Sequence, residues 1–253
     1  MLKRLLRRSL TAAAAAVLAG AAVLAGLLWF PQPLFAHVAD TGLLRIHCDR
    51  PIPETAARRF AADVAARLAR SPLRLAHRRY RLFVAHDLWR RRLLWTATSP
   101  HAGGFVLYPF APRNIYLSGA DFARDTLISP SGLRVGPPRT LGYYGAHELA
   151  HIATGERVGS ARFLLMPKWV REGVADHAAL GRTGSFDALH RAIAAAPNDV
   201  RLWHRHGFYA KYRLLVLFFL EHEGWPVERL LASDLTEAEA TAQMVKAMRP
   251  AGH

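Results

Sequence analysis

The chain has 253 residues, of which 51% are hydrophobic and 21% charged, and 34 Lys+Arg against 19 Asp+Glu give a formal charge of +15. These fractions suit one folded globular unit and exclude a disordered, collagenous or multi-span membrane chain. The single cysteine, Cys48, excludes an intrachain disulfide and a cysteine-based zinc site.

Residues 1–9 form a basic leader carrying Lys3, Arg4, Arg7 and Arg8. Leu10 to Phe30 then runs without a charge. At about 1.5 Å per helical residue this covers roughly 31 Å, the thickness of a bilayer core. Trp29 and Phe30 fall where the span meets the far interface, and Pro31 and Pro33 stop the helix. Arginines before the span and none just after it predict residues 1–9 in the cytoplasm and the remainder in the periplasm of a bacterial cell, anchored by one pass of the inner membrane. A cleaved signal peptide is the competing expectation. Its one tempting site follows Ala36, where Leu34 is bulky at a position that favours a small residue. An uncleaved anchor over residues 10–30 is the preferred reading.

Residues 40–253 show no linker or repeat and are read as a single domain. Leu43 to Cys48 reads as a strand, Pro53 to Arg70 as a helix with Phe60, Val64 and Leu68 on one face, and Tyr80 to Ala85 and Asn114 to Leu117 as strands. Ser129 to Pro138, rich in Pro and Gly, reads as a loop. Thr140 is placed to cap a helix ending at Thr154-Gly155. Further helices are expected from Lys168, Phe186, Phe208, Val227 and Thr236, and the apolar run Leu214 to Leu220, too short to span a bilayer, as a buried helix segment. Strands early and helices late predict an α+β domain.

The segment that carries chemistry is His147-Glu148-Leu149-Ala150-His151. Residues four apart in a helix share a face, so both imidazoles can bind one cation. The intervening glutamate can then reach the cation's open side and take a proton from water there. A catalytic zinc takes three protein ligands. The third is suggested by Trp169-Val170-Arg171-Glu172-Gly173-Val174-Ala175-Asp176, because Glu172 follows His151 at a distance that lets a second helix return beside the first. Gly173 and Ala175 permit close approach of the helices. Asp176, one turn after Glu172, is placed to accept the second ring N–H of a ligand histidine.

The pentad followed by W-x-x-E-G-x-A resembles the gluzincin branch of zinc metallopeptidases, and more loosely bacterial membrane-anchored peptidase-like proteins. The resemblance covers about residues 140 to 180 and reaches loosely to the helix near Phe208. It implies a zincin-like fold, one zinc ion held by His147, His151 and Glu172, Glu148 as general base on zinc-bound water, Asp176 behind the ligands, and a peptide or protein substrate. Such relatives use a tyrosine or histidine from a later helix to steady the oxyanion. Tyr209 ranks first for this role, ahead of Tyr212 and His206. His177 stands where relatives often carry an aromatic residue. No terminus-binding motif is evident, which favours an endopeptidase.

The remaining singular residues have plainer expectations. Tyr144 is read as core packing, and Arg171 as a salt-bridge partner rather than a contact for a substrate carboxylate. His190, His204 and His222 are expected as surface or capping residues. Trp89, Trp95 and Trp203 are expected in the core, and Cys48 as an inert buried thiol. A catalytically inactive binding module on the same scaffold at the envelope is the alternative function. The arginine excess, for example Arg90 to Arg92, makes a basic surface of a kind that attracts anionic lipid headgroups or nucleic acid, and an arginine-rich binder of either is a further alternative; no nucleic-acid motif accompanies it, the plainer expectation is a solvated surface, and no nucleic-acid partner is expected.

Overall fold

The computed structural model describes residues 2–76, 78–180, 186–195, 206–207 and 209–248. It mixes helices with two antiparallel or mixed sheets, the strands concentrated between residues 37 and 135. The chain begins with α1 (Leu2–Trp29), whose stretch Arg8–Trp29 is long and apolar enough to cross a membrane and is exposed along most of its length, touching the domain only at its C-terminal end. A single 3-10 turn, Gln32–Leu34, follows.

The larger sheet contains β1 (His37–Asp40), β2 (Leu44–Cys48), β3 (Tyr80–Val84), β4 (Gly104–Val106) and β5 (Asn114–Leu117), in the order β1-β2-β3-β5-β4. The central strands β2, β3 and β5 are parallel; β1 and β4 run antiparallel at the two edges. Strand alternation divides the apolar side chains between two faces. Leu44, Ile46, Leu82, Val84, Ile115 and Leu117 join the main core. They pack under α2 (Glu54–Ala69) and α4 (Leu141–Val158).

The opposite face carries a ladder of rings. His47, Phe83, Tyr116 and Phe105 are register partners on β2, β3, β5 and β4, with successive centroids 5.0, 5.4 and 4.6 Å apart. Phe35, just after the 3-10 turn, lies on Phe83 with 5.5 Å between centroids and is buried. Trp95, buried as expected, meets Phe105 edge-on at 4.9 Å and donates its indole N–H to the carbonyl of Ala102. This second core therefore needs the residues that follow α1 as its outer layer. A smaller sheet, β6 (Ala120–Asp121), β7 (Thr126–Ile128) and β8 (Arg134–Val135), lies between the main sheet and α4 in the chain.

The second half is helical: α5 (Ser160–Leu165), α6 (Lys168–Leu180), α7 (Phe186–Ala195), α8 (Ala210–Leu217), α9 (Val227–Leu231) and α10 (Glu237–Ala247). α6 packs on α4, and α8 packs on α6. α8 passes directly into a π turn, Phe218–His222, and the apolar run Leu214 to Phe219 is buried throughout.

Several expectations need correction. The segment Ser129 to Pro138 is not all loop, because β8 pairs with β7 inside it. The helix capped by Thr140 runs past Thr154-Gly155 to Val158, and Gly159 ends it with a φ of 82°. Gly155 has another purpose. A Cβ there would come within 2.3 Å of the Tyr108 ring, which crosses the helix at that point. Trp89, expected in the core, is 52% exposed on α3 (Leu88–Leu94). The predicted helix start at Phe208 lies outside the described residues, as do Trp203 and His204; α8 is described from Ala210.

Candidate metal centre and catalytic cleft

The site is assembled on α4, which begins at Thr140, whose hydroxyl accepts the backbone N–H of Tyr143. Gly145 lets the helix sink into the core. A Cβ on Gly145 would lie 2.8 Å from both Phe60 and Val64 of α2, so the close approach of α2 and α4 requires glycine there. The α4 segment Gly145 to Gly155 is consequently buried on every side, and His147, Glu148 and His151 are buried polar residues within it. α5 and Pro167 turn the chain so that α6 returns along α4. Gly173 allows a similar approach on its far side, where a Cβ would lie 2.7 Å from the carbonyl oxygen of Tyr212.

The structure brings three of the sequence candidates to one point. Nε2 of His147 and Nε2 of His151 each lie 3.5 Å from the same Glu172 oxygen, Oε2. Ligand atoms from the three residues all lie within 4.8 Å of one another. Two ligands about 2.0–2.1 Å from a tetrahedral zinc are separated by about 3.3 Å, so the spacing suits a shared cation better than direct hydrogen bonding. Burial alone would raise the Glu172 carboxyl, but the charges and contacts of His151 and His147 outweigh it and hold it far below the usual carboxylate range. Two nitrogens and a carboxylate, all facing inward, form a donor set that fits zinc.

Glu148 stands apart from these ligands. Burial pushes its carboxyl up to about 7, opposed by the charge of His147 and assisted by that of Glu172. Its neighbour is the sheet edge: a Cβ on Gly104 of β4 would lie 3.0 Å from Glu148 Oε1, so the strand passes directly over the carboxyl. Tyr209 closes the other side, its ring parallel to that of His147 with 5.6 Å between centroids. Burial, then the charges of Glu172 and Glu148, raise its pKa, so the hydroxyl remains a proton donor through the neutral range. Tyr212 stacks on Tyr209, but its hydroxyl is directed to Glu237 on α10. His206 is half-buried and does not line the cleft.

His147, Glu148, His151, Glu172 and Tyr209 line a cleft of about 630 Å³ together with Tyr144, Phe163 and Arg171. Tyr144, expected as core packing, thus faces the cleft as well. Arg171 does form the expected ion pair, Nε to Glu172 Oε1 at 3.5 Å, and its guanidinium lies 5.8 Å from the Phe163 ring.

Asp176 departs from its expected contact. It is fully buried one turn beyond Glu172, but the ring N–H of neither histidine reaches it; the Nδ1 atoms of His147 and His151 have no hydrogen-bond partner among the described residues. Asp176 instead accepts the hydroxyl of Tyr143 at 2.7 Å and faces Arg213 Nη1 at 3.5 Å. Burial raises its pKa, partly offset by Arg213, His147 and Tyr143. Sequence reasoning passed over both partners, though each left a signal. Tyr143 lies four residues before His147, on the same helical face. Arg213 is a cation directly abutting the run Leu214 to Phe219, and it needs a buried anion to be tolerated there.

Away from the cleft, Cys48 is buried but not isolated. Its Sγ lies 3.7 Å from His86 Nδ1, which is 2.7 Å from Asp49 Oδ1, while His86 Nε2 is 2.9 Å from the carbonyl of Ala120. Nδ1 faces the Asp49 carboxylate, while Nε2 lies near both the carbonyl oxygen and the backbone N–H of Ala120. Burial alone would lower the imidazole's pKa; the contacts with Asp49, Cys48 and Ala120 raise it to about 10. His190 and His222 stack on Phe186, at 5.6 Å each, and bind nothing in the cleft. His177 is buried on α6.

No family model matches this chain, and neither the curated proteins nor the solved structures include a detectable match.

Proposed function

We propose that the chain is a membrane-anchored, zinc-dependent peptidase of zincin-like fold, with its domain on the periplasmic side of a bacterial inner membrane. The observation that carries the reading is the convergence of His147 and His151 on one oxygen of Glu172, with the buried Glu148 carboxyl lining the same cleft. His147, His151 and Glu172 would hold the ion. When bound, it would polarise a carbonyl oxygen and lower the pKa of a water molecule.

The chain's own residues account for the remaining work. Glu148, buried beneath β4, receives the proton from the attacking water and passes it to the leaving amine. A cation among the neighbouring ligands favours its ionised form, as that role requires. Tyr209 offers a hydroxyl donor above His147 for the oxygen that gains charge as the carbonyl is attacked. A peptide substrate is favoured by β4. It is the outer strand of the sheet, paired to β5 on one side, and its residues Gly104 to Val106 line the cleft. An extended peptide can hydrogen-bond along such an edge. Glycine at 104 keeps that edge bare where it crosses the base.

The second core supports an uncleaved anchor. Cleavage after Ala36 would remove Phe35 and expose the ring ladder it covers.

The test is metal analysis of the purified full chain with a peptide-hydrolysis assay. The expected result is close to one zinc per chain in the wild type and in Glu148→Gln, with hydrolysis abolished in the variant. Negligible zinc in the wild type at neutral pH sinks the proposal.

A further inference from the structure

We infer that the domain is not tethered above the bilayer but seated on it, with Trp29, Phe30, Trp89 and Phe110 in the headgroup layer of an anionic membrane. This rests on reading α1 as the membrane-spanning segment.

The last carbonyls of any helix lack partners within it and must find them elsewhere. In α1 the domain itself supplies them. Asn114 Nδ2 donates to Trp29 O at 3.0 Å and to Leu28 O at 3.3 Å, and the Tyr116 hydroxyl also donates to Leu28 O. Asn114 and Tyr116 are both fully buried on β5, the strand next to the sheet's edge. A buried donor on a sheet strand cannot follow a swinging tether. The helix end and β5 therefore move together, one hydrogen bond apart.

The next residues fasten the chain across the sheet. Phe30 N bonds back to Gly26 O, Leu34 O accepts Arg90 Nε at 2.6 Å, and Phe35 completes the ring ladder. Because the helix must end at the interface, whatever surrounds these contacts lies there too.

The surroundings have interfacial chemistry. Trp29, Phe30, Leu88, Trp89 and Phe110 are all exposed. Arg90, which holds Leu34, covers the Trp89 ring at 4.3 Å. Phe110 directly precedes Ala111, whose carbonyl accepts the backbone N–H of Asn114. Large rings that would be costly in water settle at the headgroup level, where arginines meet lipid phosphates. Without the four basic residues of the leader the chain still carries a charge of +11, which complements an anionic leaflet. Continuity with the helix selects a lipid surface as the occupant rather than a second protein. Seated in this way, the cleft reaches only polypeptide lying within the domain's own height of the bilayer.

The experiment reconstitutes the full chain, with Cys48→Ser, in vesicles of phosphatidylcholine and phosphatidylglycerol. Single fluorophores are placed by W89C, F110C, V17C or V245C, and spin-labelled lipids act as quenchers. Val245 on α10, the helix beyond α8 from the sheet, is the distal control. A headgroup spin label should quench positions 89 and 110 strongly and leave 245 unchanged, while an acyl-chain label quenches 17. Quenching at 17 without quenching at 89 and 110 overturns the seating and leaves the anchor standing. Absence of quenching at 17 removes both.

Discussion

The ring of Tyr209 lies parallel to that of His147, with 9° between their planes and 5.6 Å between their centroids. The stack holds the two rings together although they are far apart in sequence, His147 within α4 and Tyr209 at the N-cap of α8. It assigns separate duties to ring and hydroxyl. Tyr209→Phe should keep the stack and the zinc content and lower kcat by about 10²–10³ with little change in KM. Steady-state kinetics with metal analysis checks this; an unchanged kcat removes Tyr209 from the reaction.

A cation held by His147, His151 and Glu172 would bind the folded chain and not the unfolded one. Adding zinc to metal-free protein should raise the melting temperature, by about 2.7 kcal/mol of stability at a hundredfold excess over Kd. Glu172→Ala should abolish the shift, because two imidazoles alone do not complete the donor set. Calorimetry with and without zinc is the measurement.

Gly173 is where α6 meets α8, and an added methyl would collide with the Tyr212 carbonyl oxygen and with Val216. Gly173→Ala should cost about 1–3 kcal/mol in a urea melt. It should also lower kcat while zinc is retained, since pushing α8 away carries Tyr209 off His147. A variant that loses stability without losing turnover separates the packing from the chemistry.

Two histidines outside the cleft set opposite limbs of a pH–stability curve. His86 holds its proton up to about pH 10 in the native state, whereas the unfolded chain releases it near 6.5. Its stabilisation is thus complete below 6.5 and is lost as pH rises through 10, a change of order a few kcal/mol. His47 behaves in the reverse sense. Burial first, then Arg45 and Arg81, lower its pKa to about 4, so the unfolded state takes up a proton first and stability falls as pH drops from 6.5 towards 4. Urea melts across this range should show both limbs. Asp49→Asn should flatten the alkaline one, because it removes the carboxylate that holds the His86 proton.

Phe35 closes the ring ladder from outside the sheet. Phe35→Ala should cost about 3–5 kcal/mol, measured by denaturant unfolding of the full chain. A loss below about 1 kcal/mol would show that the residues after α1 are dispensable to the fold, and with it the argument against cleavage at Ala36 would fail.

What the sequence determined by itself was local. Four-residue spacing on a helix is enough to put His147 and His151 on one face, and an uncharged run after four basic residues is enough to mark α1. Strands β2, β3 and β5 were legible because their apolar runs are bounded by polar or turn residues, whereas β4, β6, β7 and β8 are two or three residues long and carry too little pattern to see. Tertiary structure decided everything that depends on which surfaces meet. Helical spacing offered Asp176 to a histidine, but packing brought Tyr143 and Arg213 to it. Composition hid Trp89 in a core that Phe35 and Trp95 fill instead. His86 lies 38 residues beyond Cys48, and only the parallel pairing of β2 with β3 brings them together. Periodicity fixes the direction in which a side chain leaves its own element; what it meets there is set by close packing of distant segments, where a single methyl at Gly104 or Gly173 would change the answer.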